Sequence, residues 1–214
     1  MAQHARHTAH SAPPRLAVFA SGGGRTFVNL HNAIKAGTLR AEIAVLIASS
    51  DCPAVARADE RGIPAQVLPG VIAPADLARV IQTHRPDYLV LAGYLKKLAI
   101  PAGFEGRVVN IHPALLPRHG GKGMFGHHVH AAVLAAGDAE SGCTVHLCDS
   151  GYDTGQTILQ LRCPVLPGDT AESLAARVFE LECQAYPRAL QMLFEREPGP
   201  TSPRPTNSAR HDSA

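Results

Sequence analysis

Residues 15–49 read RLAVFASGGGRTFVNLHNAIKAGTLRAEIAVLIAS. An apolar run (RLAVFA, 15–20) meets three glycines, then a stretch with helical spacing (Phe27 to Ala36), then Gly37, then a second apolar run (EIAVLIAS, 42–49). Both runs are nearly continuous rather than alternating, as strands are when both of their faces are buried. Gly37 stands where a helix C-cap belongs. The stretch reads as a βαβ unit, and a βαβ unit pairs its strands in parallel.

The same pattern continues downstream. AQVLP (65–69), YLVLAG (88–93) and RVVNIH (107–112) read as further buried strands, separated by helical spacing over Pro53 to Arg61, Pro74 to His84 and Leu95 to Phe104, with Gly62 as a second C-cap. Beyond residue 125 the pattern changes to a helix (126–136), two longer strands (CTVHLCD, 143–149, and TILQLRCPV, 157–165) and a long helix from Ala171 to Phe194. The expected fold is α/β: a Rossmann-like, mostly parallel sheet with an antiparallel edge and helices on both faces. There is no internal repeat.

The chain has 214 residues, 45% hydrophobic and 18% charged, with 20 Lys+Arg against 18 Asp+Glu. One domain of this size buries roughly 70% of its unfolded surface. Residues 15–196 are expected to form it. The ends, 1–14 and 197–214, are rich in Pro, Ser, Thr, His and Arg with little to bury, so both are expected to be disordered. A net charge of +2 leaves no electrostatic footprint for nucleic acid or an anionic membrane. No apolar stretch reaches the roughly 20 residues of a spanning helix. The N-terminus lacks the apolar middle of a secretory signal; it has no acid before Glu42, but its sparse arginines argue against a transit peptide. Cys52, Cys143, Cys148, Cys163 and Cys183 form no CxxC pair and read as buried free thiols of a reducing compartment, the cytoplasm.

In open α/β sheets, ligands collect outside the carboxyl ends of the strands, near the point where strand order reverses. After the first strand come Gly22, Gly23, Gly24, Arg25 and Thr26, a glycine loop opening a helix, whose converging N–H groups suit a phosphate. It is not the dinucleotide fingerprint, because Phe27 stands at the third glycine's place. Gly120-Gly121-Lys122-Gly123 is not a P-loop either, since Leu116 occupies the first glycine position and Gly123 follows the lysine. The fifth strand ends in Asn110-Ile111-His112-Pro113. Two residues apart on an extended strand, Asn110 and His112 share a face, placing an amide donor beside an imidazole. Asp149 and Asp153 lie in the turn-rich loop between the last two strands. A carboxylate there that reached His112 would raise its basicity and fix its tautomer. His127, His128 and His130, with His146, Cys143 and Cys148, complete no regular four-coordinate pattern, so no metal is expected.

SGGGRTFVNL (21–30), LVLAGYLKKL (89–98), NIHPALLP (110–117), DSGYDTGQTILQ (149–160) and VLPGDTAESLAARVFELECQAYP (165–187) together resemble the phosphoribosylglycinamide formyltransferase family of the formyltetrahydrofolate transferase superfamily. The resemblance implies transfer of the formyl group of 10-formyltetrahydrofolate, as co-substrate, to the amine of glycinamide ribonucleotide in purine synthesis. It implies a catalytic trio of Asn110, His112 and Asp153, with His112 protonated and Asp153 keeping it so. It also implies folate contacts at Leu95, Lys96, Lys97, Leu98, Asp149 and Tyr152, and nucleotide contacts at Gly22, Gly23, Gly24, Arg25, Thr26 and Glu182. The expected partners are small molecules, and the expected state is a monomer or homodimer. The chain length is expected to exclude relatives carrying an extra domain, methionyl-tRNA formyltransferase and formyltetrahydrofolate deformylase. Two departures fall on the nucleotide side: Arg25-Thr26-Phe27 replaces a Ser/Thr-Asn pair, and the segment RHGGKGMFGHHVH (118–130) is longer than the common form. The alternatives are a formyl-folate hydrolase, another amine acceptor, or a nucleotide-binding module without catalysis.

Overall fold

A computed structural model describes residues 12–196. In chain order the elements are β1 (Arg15–Ala20), α1 (Arg25–Lys35), β2 (Glu42–Ala48), α2 (Pro53–Asp59), β3 (Ala65–Val67), α3 (Pro74–His84), β4 (Tyr88–Leu91), β5 (Val108–His112), α4 (His127–Ala135), β6 (Glu140–Leu147), β7 (Thr157–Pro164) and α5 (Ala171–Arg196). They build one seven-stranded sheet in the order β3-β2-β1-β4-β5-β6-β7. β3 through β5 run parallel, while β6 and β7 add antiparallel to the edge. The expected fold class holds. The chain winds outward from β1 to β3, then returns to place β4 on β1's other side, so the switch point lies between β1 and β4.

Alternate residues of each buried strand serve opposite faces. Leu16, Val18 and Ala20 of β1 pack with Phe27 and Leu30 of α1 and Leu174, Val178 and Leu190 of α5. Ala17 and Phe19 pack on the other face with Leu77 and Val80 of α3. Gly37 and Gly62 take left-handed backbones (φ 75° and 64°) just past α1 and α2. The next amides reach back a turn, Thr38 N–H to Ala33 O and Ile63 N–H to Ala58 O, each at 3.0 Å; this is the glycine-terminated helix end read from the sequence.

The structure corrects several expectations. Leu95 to Phe104 is not helical: Pro101 lacks an N–H and restricts Ile100, and Gly103 and Gly106 take positive φ. Leu98 and Phe104 bury their side chains on the sheet all the same, and that spacing imitated a helix. α1 begins two residues early, at Arg25, because Gly24 caps it in the left-handed region (φ 71°). There a Cβ would stand 2.8 Å from that of Ala54, so only glycine lets α1 approach α2 this closely. β6 starts at Glu140 rather than 143. All five cysteines are free, but only Cys143 and Cys163 are fully buried; Cys52, Cys148 and Cys183 are half-buried.

Residues 1–11 and 197–214, expected to be disordered, lie outside the described residues. Pro14, placed in that expected tail, instead extends the ladder, its carbonyl accepting the Glu42 N–H at 2.9 Å. Among the described residues no helix is long and apolar enough to cross a membrane. Pro187 inside α5 leaves the Cys183 carbonyl without its helical donor. The Asn29 side-chain amide of α1 takes that carbonyl at 3.0 Å and ties the two helices together.

Candidate active site

A cavity of about 560 Å³ opens at the carboxyl ends of β4 and β5, beside the switch point. Its base is apolar, with Leu91, Tyr94, Leu98 and Val108, and its inner end is polar. β5 projects Asn110 and His112 from one face, and the antiparallel register sets His146 of β6 opposite Asn110. The chain leaves β6 through the 149–153 loop and comes back with Asp153 at φ 56°. Gly155 lets that loop close onto β6, since a Cβ there would fall 1.8 Å from the Leu147 carbonyl.

Asp153 brings the group together. Its Oδ2 lies 3.5 Å from His112 Nδ1 and accepts the Gly121 N–H at 3.0 Å. Its Oδ1 lies 3.4 Å from Asn110 Nδ2 and 3.5 Å from His146 Nε2. His146 Nδ1 donates to the Leu147 carbonyl at 2.9 Å, so its Nε2 is free to accept from Asn110 Nδ2 at 3.2 Å. His112 Nε2 donates to the His119 carbonyl at 2.8 Å.

The charge states follow from these contacts. Only 3% of His112 is exposed, and burial lowers its pKa by more than Asp153 and the His119 carbonyl raise it. The resting ring is therefore neutral at neutral pH, with its proton on Nε2, rather than the imidazolium that the resemblance implied. Burial pushes the Asp153 carboxyl up, but the His146 ring and the Gly121 N–H, with the His112 ring beside them, outweigh it and hold Asp153 below the usual carboxylate range.

Thr26, Glu182, Leu95 to Leu98, Asp149 and Tyr152 also border the cavity, whereas Gly22, Gly23, Gly24 and Arg25 do not. The Leu95 N–H is committed to Ser21 Oγ at 2.9 Å. Asp149 is turned onto its own loop, accepting from the Gly151 N–H at 2.8 Å and Thr154 Oγ1 at 2.6 Å. Lys97 crosses the mouth: its Nζ donates to the Ser150 carbonyl at 2.8 Å and lies 5.2 Å from the Tyr152 ring. Arg25 stacks on Phe179, with Cζ 3.7 Å from the ring centroid. Burial raises the Glu182 carboxyl to about 7, against the opposing charge of Arg25.

Sequence reasoning missed His146, the His119 carbonyl and the Gly121 N–H. His146 alternates with Thr144, which puts both on one face, but only the β5–β6 register reveals that this face is Asn110's. The histidine-rich segment spreads out: His127 faces Glu172 at 3.4 Å, His128 meets Phe125 edge-on and His130 is buried. Among the described residues no group of three or more His, Cys, Asp or Glu side chains converges to hold a metal ion.

The Rossmann-like sheet thus carries an Asn, His and Asp cluster at the β5 edge of the cavity, beside the switch point. The chain belongs to the formyl transferase family, whose profile matches residues 14–190. Within it, the chain is similar to the chloroplastic phosphoribosylglycinamide formyltransferase of Vigna unguiculata, at 42% identity over 190 residues covering 85% of this chain and 61% of the relative. The Arabidopsis thaliana counterpart is 37% identical over 191 residues, with 85% and 65% covered. The chain thus spans a little under two thirds of these curated relatives. Among solved structures, glycinamide ribonucleotide transformylase 1 of Symbiobacterium toebii superposes with a TM-score of 0.80 at 31% identity, covering 87% of this chain and 90% of that one.

Proposed function

We propose that this chain transfers the formyl group of 10-formyltetrahydrofolate to the amino group of glycinamide ribonucleotide. The observation that carries the reading is the convergence of Asn110, His112 and Asp153 at the inner end of an apolar cleft. The names of the similar proteins support it. The substrates are small molecules, the assembly a monomer or homodimer, and the free thiols favour the cytoplasm.

In this mechanism the pterin enters between the 95–98 and 149–153 segments, and the acceptor amine attacks the formyl carbon. Negative charge gathers on the formyl oxygen, which needs a preorganised donor. Asn110 supplies it by exchanging Asp153 Oδ1, the longer of its two contacts, for that oxygen. The proton lost from the attacking nitrogen passes to neutral His112 at Nδ1, where Asp153 stabilises the imidazolium. As the carbon–nitrogen bond to the folate breaks, that proton returns to the leaving nitrogen. The test is the absorbance change of the folate with and without the nucleotide: strict dependence on the nucleotide supports transfer, and equal formyl loss without it makes the chain a hydrolase.

Two variants probe the acceptor side. If the glycine loop holds the phosphate, Arg25 adds a charge-assisted contact beside it. Arg25→Ala is then expected to raise KM for the nucleotide about tenfold while leaving KM for the folate within about twofold. Equal shifts for both substrates would remove Arg25 from that role. Glu182 accepts from ribose hydroxyls best as a carboxylate, and its pKa is pushed up to about 7. KM for the nucleotide should therefore fall as pH rises through about 7. Glu182→Gln should flatten that dependence; a profile unchanged in the variant would assign the titration elsewhere.

A further inference from the structure

The turn that follows β5 holds one feature that the proposed reaction does not use. His119, a non-glycine residue, sits in the left-handed region at φ 55°, a conformation that must be held in place by its surroundings. Its carbonyl is the acceptor for His112 Nε2 at 2.8 Å. Its ring is fixed at the other end, with Nε2 2.7 Å from Asp138 Oδ2 and only 14% and 11% of the two side chains exposed. Asp138 in turn is set by the end of α4: it follows Gly137 (φ 66°), and its N–H reaches the Val133 carbonyl at 3.3 Å. The His119 bond, with Arg118 alongside, holds the Asp138 carboxyl below the usual carboxylate range, so it stays an anion that grips the ring at neutral pH.

We propose that Asp138 is a positioning residue for His112, acting through His119: by gripping the His119 ring it fixes the left-handed turn that aims the His119 carbonyl at His112 Nε2. The consequence lies in the tautomer. A carbonyl only accepts, so it keeps a proton on Nε2 and leaves Nδ1 as the nitrogen that gains and loses protons beside Asp153. Released, the turn relaxes toward negative φ, its carbonyl swings away, and the imidazole is free to change tautomer. His112 is also faced by Asp153 from the loop after β6, His146 from β6 and His130 from α4. None of these takes its Nε2 proton; the turn alone does so.

The kinetic arm rests on the proposed transfer reaction, whereas the titration arm does not. Asp138→Ala is expected to lower kcat about tenfold with KM for both substrates within about twofold, because misplacing a proton-transfer group acts on the transition state. Asp138→Asn, which keeps an oxygen acceptor for His119 and guards against misfolding of the alanine variant, should fall between that and the wild type. In the substrate-free protein, the His112 ring proton followed by NMR and assigned with His112→Ala should titrate at least about half a unit lower in Asp138→Ala, since a bond favouring the charged ring is lost. Arg118→Ala removes the 65%-exposed partner of Asp138 but spares the His119 bond, so it should change neither readout. The proposal is overturned if both Asp138 variants keep kcat within about twofold and an unshifted His112 titration, or if Arg118→Ala reproduces the loss. A wild-type protein that transfers no formyl group would sink the reaction but leave the titration to decide the positioning role.

Discussion

His112→Ala is expected to lower kcat by about a thousandfold, because a positioned general base contributes on the order of 10²–10⁴. The fold should survive. His112 is buried at 3% exposure and its charged form is disfavoured there, so an alanine removes a costly polar group along with the volume that it filled. Asp153→Ala should lose less, since the imidazole remains while its anion is gone. The pH dependence carries a sign. Burial lowers the His112 pKa below its ordinary 6.5, so the wild-type enzyme should be flat through neutrality and lose kcat only as the ring protonates in acid. His112→Ala should lack that acid limb. Steady-state absorbance across pH measures both effects, and a variant within about tenfold of the wild type would show that His112 is not the base.

What the chain disclosed before its fold was known follows from the range of the interactions concerned. Continuous apolar runs and the glycines at 37 and 62 are local signals, and the parallel sheet, its antiparallel edge and the helix ends followed from them. The stretch from Leu95 to Phe104 has helical apolar spacing but contains Pro101; packing on the sheet accounts for the spacing and dispenses with the helix. In the site, Asn110 and His112 were legible because two positions on one strand share a face. Asp153 came only from the resemblance, as no local rule places a loop carboxylate on a residue 41 positions earlier. His146 and the His119 carbonyl were illegible for the same reason. One depends on the register of an antiparallel pair, the other on a left-handed turn at a residue that is not glycine. The carboxylate beside His112 can be read from a motif, while the depth of burial that outweighs it cannot.

Tyr186→Ala should have the largest effect on stability, and it couples the fold to the site. Tyr186 is fully buried in α5, its hydroxyl lying 2.9 Å from the Leu91 carbonyl and 3.0 Å from that of Val109. It therefore holds the carboxyl end of β4 and the start of β5. Those strands carry the cavity's base and Asn110. Truncating a buried aromatic of this size costs about 3–5 kcal/mol, enough to lower Tm by roughly 10 °C in a domain this large. The phenylalanine variant separates packing from hydrogen bonding. It keeps the ring and removes the single O–H that the two main-chain carbonyls share, which costs about 1–3 kcal/mol. Glu182 lies one turn earlier on the same helix, so loosening this anchor also loosens the spacing between α5 and β5, across which donor and acceptor must meet. Tyr186→Phe should accordingly lose kcat several-fold at a temperature where it is fully folded. Urea unfolding with an unchanged slope would report the stability difference directly. A phenylalanine variant as stable as the wild type would mean that the shared hydroxyl proton contributes nothing net and that packing alone anchors α5.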